Sequence, residues 1–245
     1  MNDIEKIFKS RIILKELLFN EWQTEKMPNL SKEEIKQLYN SPEDKNSIYA
    51  NFGKGSICNF ILDHKILDIP KLHIIYYNFP DFGKKKIKIT KSIENKIELL
   101  YKNDSIGQFD SLFIIINENI TDSIISIKNN INSKLKESNI DITPIKNDID
   151  KLNLTKSHFR NVNIYSLNSL QININKHKLV PKHTIIRDIN EIKKILEKCN
   201  CKINQLPSIS KEDPMAKIFR MIPGDLFKIE RINKKGNSIY YRICK

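Results

Sequence analysis

No apolar run in this 245-residue chain is long enough to cross a bilayer as a helix, so a helical membrane protein is excluded and no membrane partner is expected. The first residues, Met1-Asn2-Asp3-Ile4-Glu5, lack the basic start and continuous apolar core of a secretory signal. Cysteine is scarce. Cys58, Cys199, Cys201 and Cys244 form no disulfide framework, and the expectation is a reducing intracellular compartment. A structural zinc site needs four ligands, usually as two spaced pairs. Cys199-x-Cys201 has no second cysteine pair, although His177 and His183 are near in sequence. Cys199 is read as closing a helix and Cys201 as part of the following turn, with no metal and no cofactor. No internal repeat is present.

Catalytic constellations are lacking as well. Pro80-Asp81, followed by Lys84, Lys85 and Lys86, invites comparison with nucleases that hold Mg²⁺ between carboxylates with a lysine beside the attacking water. That chemistry needs a further acid before the lysine. Asp81 is followed instead by Phe82, Gly83 and basic residues, so the segment is read as a loop entering a strand. Phe52-Gly53-Lys54-Gly55-Ser56 lacks the spacing of a phosphate loop and opens no evident helix; it is read as a flexible turn. Nothing beyond residue presence supports a Ser-His-Asp or Cys-His arrangement.

What the chain does have is apolar residues for a core, at 40% of the total, and positive charge. The formal net charge is +13, of which residues 177–245 carry +9. Such an excess suggests a polyanionic neighbour, while a lysine-rich solvated surface accounts for it equally well, and AT-rich coding favours lysine together with the abundant isoleucine and asparagine. Charge by itself does not separate a nucleic-acid face from an acidic protein partner.

Along the chain, Ile4, Ile7, Phe8, Ile12, Leu14, Leu17 and Leu18 recur at helical spacing, ending near Trp22. Ser31-Lys32-Glu33-Glu34 is a capping-box pattern that announces a second helix. A loop is expected from Ser41 to Gly55, then strands over 57–62 and 72–79 and a further one over 87–90. Ser92 to Tyr101 has helical spacing, Leu112–Ile116 reads as a strand buried on both faces, and Ile120 to Leu135 is helical again. This order indicates an α/β N-terminal domain over 1–175. Residues 137–160 are polar and read as an insertion or long surface excursion, and 170–175 as a link into a C-terminal module.

That module, 176–245, is expected to be a small α+β domain. A turn-like segment, Leu179-Val180-Pro181-Lys182-His183, leads into a short amphipathic helix, and Gln205-Leu206-Pro207 follows. Asp213 is placed to cap a helix that has Pro214 at its first position, where the missing N–H costs nothing. Pro223-Gly224 suits a type II turn, whose third position needs positive φ. Two alternating strands close the chain, with Phe227, Ile229 and Arg231 on one side of the first and Ile239, Tyr241 and Ile243 sharing a side of the second. Residues 233–237 are expected to turn between them.

In order and spacing these residues resemble the C-terminal domain of the fifth subunit of eukaryotic RNA polymerases, a family that also has archaeal members. The family pattern is met by Leu179, Val180, Pro181 and His183; by Gln205, Leu206 and Pro207; by Asp213, Pro214, Ala216 and Lys217; and by Gly224, Lys228, Ile229, Arg231, Ile239, Tyr241 and Arg242. The chain departs from it at Arg220, where the family usually has glycine after the Asp-Pro helix, and in a shorter loop before the last strand. For residues 1–175 the likeness rests mainly on element order and implies the family's jaw domain, with a restriction-endonuclease-like topology and no nuclease activity.

The resemblance implies a non-catalytic subunit of a multisubunit DNA-directed RNA polymerase. The C-terminal assembly domain would dock on the largest subunit and touch neighbouring subunits, and the jaw would help hold downstream duplex DNA. Pro181, His183, Pro207, Asp213, Pro214, Ala216, Lys217 and Gly224 would shape the docking surface; Arg231 and Arg242 fall on opposed strands of the terminal hairpin, and Tyr241 is expected to anchor it in the core. In the jaw, Thr121 and Ser123 match a family loop near DNA, with Asp122 replacing proline. Their hydroxyls and a helix start could bind phosphate, whereas Asp122 would repel it, and an ordinary helix cap by Thr121 is an equal reading. The implied location is the nucleus for a cellular protein, and the host cytoplasm (a viral factory) or the virion for a viral one. A stand-alone basic nucleic-acid-binding protein and a Mg²⁺-dependent nuclease relic are the alternatives from other classes.

Overall fold

A strand whose six residues are all buried needs cover on both faces and a neighbour on each side, and Ser111–Ile116 has both. The computed structural model describes residues 2–42, 46–80, 88–137, 152–233 and 236–245 together with Thr143, Lys146 and Asp150, and the chain folds into two compact units. One comprises Met1–Ile140 with Phe159–Ile172, the other Asp141–His158 with Asn173–Lys245. The second unit therefore takes in sequence from the 137–160 excursion as well as the C-terminal module.

The first unit is a four-stranded mixed sheet in the order β1 (Phe60–Asp63), β2 (Lys71–Tyr77), β3 (Ser111–Ile116), β4 (Val162–Ser166), with only β1 antiparallel to its neighbour. Helices α3 (Ser92–Lys102) and α4 (Asp122–Glu137) make the parallel crossovers. They cover the face that carries Ile75, Tyr77, Ile114, Ile116 and Ile164. Helix α1 (Asp3–Leu17) meets the opposite face, where Ser10 Oγ lies 2.8 Å from the Tyr76 hydroxyl. Its buried side includes Ser10 and Arg11 as well as the apolar set, while Ile12 is exposed. The Arg11 guanidinium is satisfied by the carbonyls of Cys58 (2.8 Å) and Pro28 (3.1 Å) and by the Phe60 ring, 4.5 Å away. Helix α2 (Lys32–Asn40) starts with the expected capping box of Ser31 and Glu34.

Several expectations need correction. The first strand begins at Phe60 rather than Ile57 because Lys54–Cys58 wind into a 3₁₀ turn. Residues 88–90 form no strand, and Ile87 lies outside the described residues. The Gly53–Gly55 segment is packed rather than flexible. The Lys54 amide donates to the Phe79 carbonyl at 3.0 Å, and a Cβ on Gly55 would come within 2.9 Å of the Phe79 side chain. Strand β4 is an addition that no sequence pattern announces. Its start is fixed from α4, where the Asn132 side chain exchanges two hydrogen bonds of 2.8 Å with the backbone of Val162.

The first unit also buries a polar chain. Asp110 can only accept, so His73 Nε2 donates to it (2.9 Å), and His73 Nδ1 then accepts the Tyr49 hydroxyl (2.6 Å). Asp110 further accepts the amides of Lys71 and Gly107, each at 2.8 Å. Tyr49, His73 and Asp110 are all buried. Burial, aided by the charge of Asp110, pushes the Tyr49 phenol well above its ordinary pKa, so it stays a protonated donor. The chain is a strut that ties the loop before β1 to the sheet.

The second unit holds a sheet in the order β5 (Lys182–Ile186), β7 (Leu226–Asn233), β8 (Gly236–Cys244), β6 (Ser208–Ile209). Helix α5 (Ile189–Lys198) packs its Ile195 against Ile186, Leu226 and Ile243 on one face. Helix α6 (Pro214–Ile218) packs Met215 and Ala216 against Phe227, Ile229 and Cys244 on the other. The turn-like reading of Leu179–His183 is corrected here, since the chain is already extended from Lys182 and pairs with Glu230. The final turn is narrower than 233–237, because Asn233 and Gly236 still pair.

Replacing Tyr49 by Phe removes the hydroxyl that donates to buried His73 Nδ1 while keeping the ring. The expected loss of stability is about 1–3 kcal/mol in urea denaturation of the full chain; an unchanged midpoint would contradict the strut.

Candidate functional site

The C-terminal module is built by local chemistry first. Asp213 Oδ1 accepts the Met215 amide at 2.8 Å, with Pro214 at the first turn of α6. At its other end α6 closes in a Schellman arrangement. The Met221 amide donates to the Ala216 carbonyl (2.9 Å) and the Arg220 amide to that of Lys217 (3.1 Å), with Arg220 at φ +49°. The position that favours glycine thus keeps the left-handed backbone with an arginine on it. Gly224, at φ +103°, supplies the positive φ expected from Pro223-Gly224; a Cβ there would touch nothing within 4 Å, so the requirement is backbone conformation and not space.

Asp225 then locks the turn. Its amide donates to the Ile222 carbonyl (3.1 Å) while its Oδ2 accepts the Ile222 amide (3.0 Å). The carboxylate is buried, and two side chains from elsewhere satisfy it: Arg187 Nε at 3.4 Å and His158 Nε2 at 3.3 Å. Because His158 Nδ1 accepts the Thr155 amide (2.9 Å), the neutral ring carries its proton on Nε2, facing Asp225. Burial pulls the pKa of Asp225 upward, but the His158 bond, the Arg187 charge and the Ile222 amide outweigh it and hold the carboxyl below its ordinary value. In sequence His158 falls within the polar excursion, and no local pattern announces a partner 67 positions away.

The residues singled out from sequence separate into scaffold and surface. Ala216 has no exposure and serves packing alone. Lys217 is mostly covered and pairs with Glu212 at 3.1 Å. Pro207 is exposed, and its carbonyl accepts the Ile243 amide (2.9 Å), pinning the chain beside β8. Tyr241 is half-buried at the margin of the α5 cluster, not inside the core as expected. Pairing of Arg231 with Ser238 and of Phe227 with Arg242 puts both arginines on the α6 face of the hairpin. Arg231 lies over the Tyr240 ring at 5.0 Å, and Arg242 donates to the Ser208 carbonyl at 3.2 Å.

His183, opposite Ile229, lies on this same face, edge-on to Phe227 with ring centroids 5.1 Å apart. Its Nδ1 donates to the Pro181 carbonyl at 2.7 Å. Partial burial lowers its pKa; Pro181 and Asp213 pull it up, and Arg231 and Arg242 push it further down. The fold thus gathers His183, Asp213, Arg231 and Arg242, and none of them has the geometry of a reactive centre.

In the first unit Thr121 and Ser123 are exposed and their hydroxyls lie 2.8 Å apart, at the start of α4, where the Thr121 carbonyl accepts the Ile125 amide (3.0 Å). Cys199 caps the end of α5 and Cys201 packs against the α5 cluster. Asp81 and Lys84–Lys86 lie outside the described residues.

A family model described as RNA polymerase Rpb5, C-terminal domain, matches residues 172–244. Curated relatives named DNA-directed RNA polymerase subunit Rpo5 are also similar to this chain. That of Sulfurisphaera tokodaii is 40% identical over 78 residues, 31% of this chain and 92% of the relative. That of Methanosphaera stadtmanae is 35% identical over 77 residues, 31% of this chain and 99% of the relative. That of Staphylothermus marinus is 41% identical over 71 residues, 29% of this chain and 77% of the relative.

Two outcomes are expected from the geometry. Arg220→Gly relieves the left-handed strain and should raise stability by about 0.5–1 kcal/mol, measured as a urea midpoint; a lower midpoint would show that the arginine's own contacts outweigh the strain. For His183 the folded pKa lies below the unfolded value, so between them the unfolded chain binds more protons. The contribution of this residue is complete above about pH 6.5 and is lost as pH falls below it. Stability measured from pH 7 to pH 5 should fall less steeply for His183→Phe than for the parent.

Proposed function

We propose that this chain, which belongs to the Rpb5/Rpo5 family of DNA-directed RNA polymerase subunits, joins the enzyme by docking its C-terminal unit on the largest subunit. It is a component of an enzyme complex and not a catalytic subunit. The observation that carries the docking reading is that the matched residues 172–244 fall almost wholly within one compact unit, whose capped helix and Asp225 lock leave the hairpin strands free to present side chains outward. Pro181, His183, Pro207, Asp213, Pro214 and Gly224 shape that unit, and Arg231 and Arg242 add positive charge to one face of its hairpin.

The first unit takes the role of a jaw. Its mixed sheet with helices on both faces is the architecture expected for an inactive restriction-endonuclease-like domain, and exposed Thr121 and Ser123 at a helix start are suited to a phosphate of downstream duplex DNA. Neighbouring polymerase subunits complete the set of partners.

Affinity purification through a tag on the full chain, at moderate salt, should bring down the largest polymerase subunit in near-stoichiometric amount, read by mass spectrometry. The purified chain alone should bind duplex DNA weakly. A solitary chain with tight DNA binding that collapses between low and moderate salt would instead favour a stand-alone nucleic-acid-binding protein.

A further inference from the structure

The sheet face that carries α5 is covered over only part of its length. Strand β5 begins at Lys182, opposite Glu230, so the β7–β8 ribbon runs on past its neighbour. Alternation along the ribbon puts Ile232 and Ile239 on the same face as Leu226 and Ile243, which α5 covers. The apolar stripe therefore continues out of the core into solvent. Ile232 is 86% exposed, Ile239 53%, and Leu179, on the segment leading into β5, 83%. All three line one open groove of about 850 Å³. Isolated exposed isoleucines are ordinary; several in one concavity, continuous with a core, mark an interaction site.

The groove is rimmed by cations. Lys178 and Lys182 line it, and the one carboxylate among its described lining residues, Glu230, is held by Lys228 at 2.8 Å and Lys182 at 3.7 Å; Arg231 borders it from the other face of the ribbon, where its guanidinium lies over the Tyr240 ring. A second copy of the chain would bring two such basic rims together across a two-fold contact, which like charges disfavour. A nucleic acid would satisfy the cations but gain nothing from three aliphatic side chains at the centre. An apolar centre inside a cationic rim is matched by a protein segment with apolar side chains flanked by carboxylates.

We propose that this groove seats an apolar segment, flanked by acidic residues, of the largest RNA polymerase subunit, with Leu179, Ile232 and Ile239 as its floor. The inference rests on the docking role proposed above and specifies the surface. Buried aliphatic contacts at the centre supply the affinity, and the basic rim supplies orientation and association rate.

The test titrates fluorescently labelled full chain into its own polymerase reconstituted without this subunit. Ile232→Asp and Ile239→Asp should each weaken binding about tenfold or more. The double change of Lys178 and Lys182 to Glu should weaken it and flatten its salt dependence. Ile189→Asp, at a 63% exposed isoleucine of α5 outside the groove, should bind like the parent. Thermal midpoints equal to that of the parent confirm folding; should an aspartate lower one, Ile232→Ser replaces it. If the parent binds and the groove variants bind equally well, the groove is overturned while polymerase docking stands. If the parent does not bind, the docking role falls and the groove with it. Self-association that Ile232→Asp abolishes, or loss of affinity for a duplex DNA probe alone, would equally overturn the proposal.

Discussion

The pairing of β7 with β8 is the constraint on which the C-terminal unit depends. Eight facing residue pairs set the register, and a period of two then divides the apolar side chains between two faces. Phe227 and Ile229 face α6; Leu226 and Ile243 face α5. A slip of one residue would turn both sets to the wrong helix. The Asp225 lock guards the register, since its carbonyl accepts the Cys244 amide (2.9 Å) while its side chain holds Arg187 and His158.

What is legible in the sequence is what local chemistry decides. Asp213 and Pro214 announce a helix start because a cap is settled within three residues, and Ser31 with Glu34 does the same for α2. Gly224 and the alternating terminal strands are equally local, and the fully apolar Leu112–Ile116 run has the composition typical of a strand buried on both faces. What is not legible depends on distant partners. Lys182–Ile186 directly follows Pro181 and looks like a turn until β7 pairs with it. Val162–Ser166 is short and follows a polar stretch; its place beside β3 is fixed by Asn132, thirty positions away.

The same distinction holds for the functional residues. The motif residues are mostly scaffold: Ala216 is buried, Lys217 is paired, and Tyr241 stands at the margin of a cluster. Ile232 and Ile239, the floor of the proposed groove, do not stand out in the sequence because strand alternation accounts for an isoleucine at either position, and their exposure follows from where β5 ends. Arg220 gives the opposite lesson. The side chain departs from the family pattern, while the backbone conformation that the pattern encodes is retained at φ +49°.

Hydrogen exchange of the full chain, free and within its polymerase, tests the docking account most directly, because it reports on every amide without altering a side chain. Slowed exchange on assembly over 178–182 and along the β7–β8 ribbon around Ile232 and Ile239 is the result the account requires. Unchanged exchange there, with protection confined to the first unit, would contradict it.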